Sequence, residues 1–200
     1  MKTNILIMVI IGALTYLATI AMETRKPAPQ IITTPSQIEQ TENTPTLKIQ
    51  TLPKAQTPIF SFEDIHAQTH NIEDFKGRLI LLNFWASWCP PCIKEFPHLI
   101  EIAEQFSDQI TLIALSSDHD KEAMMRFVNK LDLEGKSNIL IALDEEQKIT
   151  KELFGTYKLP ETILITPEQI MHSKVIGGDW KKQEMENHIK LLLSNIKNST

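Results

Sequence analysis

Hydrophobic and polar positions divide the chain into three stretches. Residues 3–22 carry no charged side chain and are mostly apolar, long enough as a helix to cross a bilayer core. Residues 23–58 show no apolar period, contain no glycine, and hold six of the eleven prolines: Pro27, Pro29, Pro35, Pro45, Pro53 and Pro58. Such a segment has too little apolar surface to offset its ordering entropy, so it reads as a semi-extended linker. From residue 59 the pattern becomes that of a folded domain. Residues 59–62 alternate as a half-buried strand, and 71–77 form a turn before the continuous apolar run 79–86, a strand buried on both faces. Helical spacing appears over 90–106, a second apolar strand over 110–115, and an amphipathic helix over 121–131. Residues 139–143 read as a short strand and 149–154 as a short helix. Residues 162–165 and 171–176 pair around the turn Pro167-Glu168-Gln169, and 183–196 close the chain as a helix. Strands alternating with helices, then a hairpin and a helix, predict an α/β domain with a central mixed sheet flanked by helices.

The N-terminus admits two main assignments, a buried helix of the folded domain being a third that the linker after it argues against. Residues 1–22 read as an uncleaved signal-anchor, the competing assignment being a cleaved signal peptide, for which Thr19-Ile20-Ala21 is a poor cleavage site. Lys2 before the segment and Arg25 and Lys26 after it leave the charge rule for orientation undecided. An N-terminal export segment carries the rest of its chain out of the cytoplasm. The domain is therefore expected on the periplasmic side, tethered to the inner membrane through residues 3–22, or secreted if that segment is removed.

Composition narrows the chemistry. A chain of 200 residues with 42% hydrophobic content can build one real core, and its net charge of −5 and lack of a basic block argue against a nucleic-acid partner. Two cysteines cannot make a disulfide framework or supply a four-ligand zinc site. His66 and His70 stand four apart without a third ligand nearby and read as a solvated pair. His98, His119, His172 and His188 read as surface residues, and no metal is expected.

What remains is Cys89-Pro90-Pro91-Cys92 between a strand and a helix, an arrangement suited to thiol chemistry. The thiolate is the nucleophile, and a free thiol is ionised only to about a few per cent at neutral pH. Cys89 at the helix cap receives backbone N–H groups and the positive end of the helix dipole, which favour the thiolate. Cys92, one turn on, faces the same side and lies deeper. Cys89 is therefore assigned to attack a partner disulfide and Cys92 to resolve the mixed disulfide. Pro90 and Pro91 fit the first turn, where no intrahelical bond is lost, but they also withhold donors from the Cys89 sulfur. Glu95 falls on the helical face of Cys92; buried there, it could exchange a proton with Cys92. Trp85 reads as core, and Trp88 as a cover for the sulfur and a docking surface. Gly177-Gly178 reads as a turn before Trp180.

The run N-F-W-A-S-W-C-P-P-C-x-x-E-F-P, residues 83–97, resembles the membrane-anchored, extracytoplasmic TlpA/ResA-like branch of the thioredoxin superfamily. The resemblance extends over residues 59–196, including NIEDFKG at 71–77 and LPETILI at 159–165. It implies a thioredoxin-like fold over 59–198 and a cis bond before Pro160, packed against the cysteines. Leu159 would offer its backbone to a client peptide, so the substrate-binding set becomes Trp88, Pro90, Pro91, Leu159 and Pro160. Asn83 stands where cytoplasmic thioredoxins keep a buried aspartate, which leaves Glu95 as the replacement for its proton-handling role. The activity implied is reduction of selected protein disulfides, such as those of apocytochrome c haem-binding cysteines. A membrane thiol electron donor would serve it, with no cofactor beyond the redox-active Cys89/Cys92 disulfide. The direction comes from the resemblance, so a protein-disulfide oxidase is the nearest variant. A thiol peroxidase and a copper metallochaperone are further alternatives. Ala86 occupies the place where the first usually has threonine, and the second usually has a wider cysteine spacing.

Overall fold

A computed structural model describes residues 47–198 of the chain. Its strands are β1 (Ile49–Gln56), β2 (Ser61–Glu63), β3 (Thr69–Asn71), β4 (Leu79–Trp85), β5 (Ile110–Ser116), β6 (Ile139–Leu143), β7 (Glu161–Ile165) and β8 (Ile170–Ile176). The α-helices are α1 (Pro90–Gln105), α2 (Lys121–Val128) and α3 (Lys182–Asn198). Six strands form one mixed sheet in the order β1-β8-β7-β4-β5-β6, and β2 and β3 make a separate hairpin. β4 runs parallel to β5 and antiparallel to β7, so it carries neighbours on both edges.

The uninterrupted apolar sequence of β4 reflects burial on both faces. Leu79, Leu81 and Trp85 join Phe96, Leu99 and Ile102 of α1 and Met185 and Ile189 of α3 in one core cluster. Ile80, Leu82 and Phe84 point the other way, onto Phe60, Phe62 and Ile72. All seven β4 residues are buried; each large apolar side chain so placed stabilises by roughly 1.5–3 kcal/mol. Asn83 belongs by its strand parity to the α1 face, so a polar group is placed under the helix that carries the cysteines.

The expected architecture is present, with four local differences. The linker assigned to 23–58 ends earlier, because β1 pairs antiparallel with β8 from Ile49↔Val175 to Gln56↔Ile170. This strand gave no burial signal because seven of its eight residues are exposed. It is an edge strand held by its ladder, and Pro53 is tolerated in the irregular register between Thr51 and Ala55. The half-buried strand expected at 59–62 is β2, one residue or two further on, paired with β3. α2 stops at Val128 rather than 131, giving way to tight turns from Phe127 to Lys130 and Val128 to Leu131. The short helix at 149–154 is a π-helical turn, Lys148–Leu153, in which Asp144 accepts from the N–H groups of Ile149 and Thr150 at 3.0 and 2.7 Å. Among the described residues no helix is long and apolar enough to cross a membrane. The anchor assigned to 3–22, and the linker up to residue 46, lie outside the described residues.

Candidate active site

β4 ends at Trp85, and a short turn carries the chain into α1 with Cys89 as its N-cap. Cys89 and Cys92 form a disulfide, their Cα atoms 5.3 Å apart. The N–H of Cys92 donates to Cys89 Sγ at 3.3 Å. Pro90 and Pro91, at the first two helical positions, have no N–H to add to it. Cys89 keeps 5% of its surface and Cys92 none, so of the two residues only Cys89 is open to solvent. The turn is held from below by Asp118, which is buried. Its carboxylate accepts from Ser87 N–H at 2.9 Å, Ser87 Oγ at 2.7 Å and Ser116 Oγ at 2.6 Å. Trp88, between that anchor and the pair, is 60% exposed. It stands on the surface beside the cysteines, whereas Trp85 is wholly buried against Phe96 and Phe127.

Glu95 lies one turn beyond Cys92 on the same face of α1 and is 2% exposed. Its Oε1 accepts from Asn83 Nδ2 at 3.0 Å and its Oε2 from Trp180 Nε1 at 3.0 Å. Asn83 Nδ2 also donates to Thr162 Oγ1 at 2.9 Å, on the residue paired with it across β4 and β7. Burial pushes the Glu95 carboxyl up to about 8, against the pull of the two hydrogen bonds. Near neutral pH the side chain therefore populates both protonation states.

Two loops close the site. The Leu159–Pro160 peptide is cis, and Pro160 is buried. The loop before it is tied by Thr156 Oγ1 donating to Glu161 Oε1 at 2.6 Å, and Glu161 is held on its other oxygen by Lys174 at 3.3 Å. Neither backbone group of Leu159 is engaged among the described residues. The second loop, Gly177 to Trp180, fastens onto the first through Gly177 N–H donating to Pro160 O at 2.9 Å. A Cβ on Gly178 would lie 2.6 Å from Pro91 O, 3.1 Å from Pro91 C and 3.3 Å from Glu95 Oε2. Gly178→Ala is accordingly expected to destabilise the protein by about 1–3 kcal/mol, since the obstruction is backbone. Thermal unfolding measures it, and an unchanged midpoint would mean that the loop does not press on the cysteine turn.

Of the residues singled out in the sequence, Cys89, Cys92, Glu95, Pro90, Pro91, Trp88, Leu159 and Pro160 are carried by neighbouring pieces of chain, linked through Gly177 and Gly178. Sequence reasoning missed Trp180, Thr162, Asp118 and Ser87 as supports. Trp180 gave no signal of its own, because its burial is a product of the fold, and Trp85, also buried, leaves its indole N–H without a partner among the described residues. His66 and His119 are exposed as expected, whereas the other four histidines are half-buried and engaged. His70 pairs with buried Asp64 at 3.0 Å, His98 packs its ring 5.9 Å from that of Trp180, and His172 and His188 share Ser173 Oγ at 3.1 and 3.3 Å.

Comparison with known proteins agrees with this site. The Redoxin family model matches residues 52–187. A thiol-disulfide oxidoreductase ResA of Bacillus thuringiensis is 31% identical over 136 residues, covering 68% of this chain and 75% of the relative. ResA of Bacillus subtilis is 29% identical over 136 residues, 68% of this chain and 73% of the relative. Among solved structures, a DsbF homologue from Corynebacterium diphtheriae superposes with a TM-score of 0.61 at 21% identity, over 73% of this chain and 92% of that one. That likeness shows a thioredoxin-like fold. A cysteine pair capping a helix beside a cis-proline loop is what a fold of this kind needs to exchange disulfides, and the chain belongs to the Redoxin family as a ResA-like thiol-disulfide oxidoreductase.

Proposed function

We propose that this protein is a membrane-tethered, extracytoplasmic reductant of selected protein disulfides, with Cys89 as nucleophile and Cys92 as resolving cysteine. The observation that carries the proposal is the asymmetry of the pair: 5% of Cys89 reaches the surface and none of Cys92. In the reduced protein the Cys89 thiolate attacks one sulfur of the client disulfide. The client S–S bond breaks, a Cys89–client disulfide forms, and the released client thiolate takes up a proton. Cys92 then gives its proton to the Glu95 carboxylate and attacks Cys89 Sγ. The mixed disulfide breaks, the Cys89–Cys92 bond closes, and the second client thiolate leaves and is protonated. Two electrons pass to the client, and the redox-active disulfide is the only carrier the cycle requires.

The client peptide would lie along Leu159 and Pro160 as an added strand, over Pro90, Pro91 and the exposed Trp88. The unengaged backbone of Leu159 supports this reading. A membrane thiol donor would restore the dithiol, and the uncharged segment 3–22 and the ResA-like relatives support placement of the domain at an extracytoplasmic membrane face. Apocytochrome haem-binding cysteines are the proposed clients. The test is to mix the reduced protein with an oxidised Cys-x-x-Cys-His peptide and follow both redox states. Electron flow to the peptide is the expected outcome. Net oxidation of the reduced peptide by the disulfide form would instead make the protein an oxidase.

The direction has a residue-level counterpart. With proline at 90 and 91, Cys92 N–H is the first backbone donor after Cys89. Pro90→Gly restores a donor, should stabilise the Cys89 thiolate, and is expected to make the pair more oxidising in a redox titration. A more reducing variant would contradict this account of the two prolines.

A further inference from the structure

We propose that Trp180 is a positioning residue for the proton-handling step: its indole N–H holds Glu95 Oε2 as an acceptor, so that the proton Glu95 carries resides on Oε1, against Asn83. The inference rests on the proton-carrying role of Glu95 proposed above. The two donors to the carboxyl differ in chemistry. An indole N–H donates and has no lone pair to accept with, so the oxygen 3.0 Å from Trp180 Nε1 cannot present a hydrogen there. A carboxyl group has one other oxygen, and that one faces Asn83 Nδ2 at 3.0 Å.

Asn83, unlike the indole, can reverse its role. Its Nδ2 donates twice, to Glu95 Oε1 and Thr162 Oγ1, while its Oδ1 is buried without a partner. That arrangement suits a carboxylate. When Oε1 is protonated, the amide turned over presents Oδ1 to both the Glu95 hydroxyl and the Thr162 hydroxyl, and Nδ2 takes the position in which Oδ1 had no partner. Asn83 thus matches either state of Glu95 by a half-turn, whereas Trp180 matches both without moving.

The surroundings favour this division of work. The strap carrying Trp180 is bonded at Gly177 to Pro160 O and lies at Gly178 against the Pro91 carbonyl, so the indole is referenced to both halves of the site. The groups facing Glu95 are Cys92 from its own helix, Asn83 from β4, Thr162 from β7 by way of Asn83, and Trp180 from the strap. The half-buried His98 of α1 packs against the Trp180 ring, and Asp179 beside it is exposed. The influences on the carboxyl are burial and the two hydrogen bonds, and burial pushes it up to about 8.

Infrared spectra of the oxidised full chain test the inference. The band of the protonated Glu95 carboxyl is identified by its loss in Glu95→Gln and followed with pH. Trp180→Phe keeps an aromatic ring but removes the donor that favours the ionised form. The band should then titrate roughly one pH unit higher than in the wild type. Titration at an unchanged pH would overturn the role of Trp180. Should that variant not fold, the indole N–H resonance of Trp180 in the wild type serves in its place. It is expected to shift with the Glu95 titration and to stay level in Glu95→Gln; a level resonance in the wild type overturns the inference. Failure of the underlying reading looks different. The band would move in Trp180→Phe, while Glu95→Gln resolved mixed disulfides at the wild-type rate across the pH range.

Discussion

Cys89→Ser is expected to lower turnover of a protein disulfide on the order of a thousandfold or more, while Cys92→Ser stops the reaction halfway. A serine hydroxyl is not ionised near neutral pH and forms no disulfide, so the first variant loses the attacking group outright. Cys92 cannot replace it, because no part of its surface is accessible. In Cys92→Ser the nucleophile remains and its first attack proceeds, but nothing displaces the client. Non-reducing gels and mass spectrometry of each variant, after mixing with a disulfide-bonded protein, distinguish the two. An adduct on Cys92 in Cys89→Ser would reverse the assigned roles.

Glu95→Gln carries the second large effect, and it shows in both rate and stability. Without a group to take the Cys92 proton, resolution of a mixed disulfide at neutral pH should slow on the order of a hundredfold. The loss of rate and of its pH dependence is read by single-turnover kinetics. The stability effect has a definite sign. The carboxyl is pushed up from 4.5 to about 8 in the fold, so between those values the folded protein holds a proton that the unfolded chain releases. The unfolded state binds fewer protons, and stability therefore falls as pH rises through that window and levels off above it. The difference between its two ends is on the order of a few kcal/mol. Glutamine can accept from Trp180 and donate to a turned-over Asn83, so the variant should keep the fold and lose this slope. Denaturant unfolding of both oxidised proteins at about pH 5 and about pH 9 measures it. Parallel slopes in the two proteins would mean that Glu95 is not the group responsible.

The parts of the molecule legible in the sequence are those whose physics is local or strongly patterned. Residues 79–86 had to be a strand buried on both faces, and the cysteine pair between strand and helix had to cap that helix. β1 was illegible because an edge strand with seven exposed residues and a proline shows neither alternation nor burial, and only its pairing to β8 makes it a strand. Glu95 was placed on the face of Cys92 by helical spacing, but its burial depends on a strap 85 residues away in sequence. Gly178 needs to lack a side chain because of Pro91, a contact made only when the fold brings the Gly177–Trp180 loop onto the first turn of α1. Thr156 and Glu161 likewise tie the loop before Pro160 by a bond between buried groups that spacing alone does not announce.

The most direct test is to express the full chain as Cys92→Ser in cells and identify the molecule covalently attached to it. The account predicts an extracytoplasmic protein joined to Cys89 through a disulfide and released by reductant, with haem-binding cysteines as its attachment point. Absence of any adduct, an adduct that survives reductant, or a cytoplasmic protein on Cys89 would contradict it.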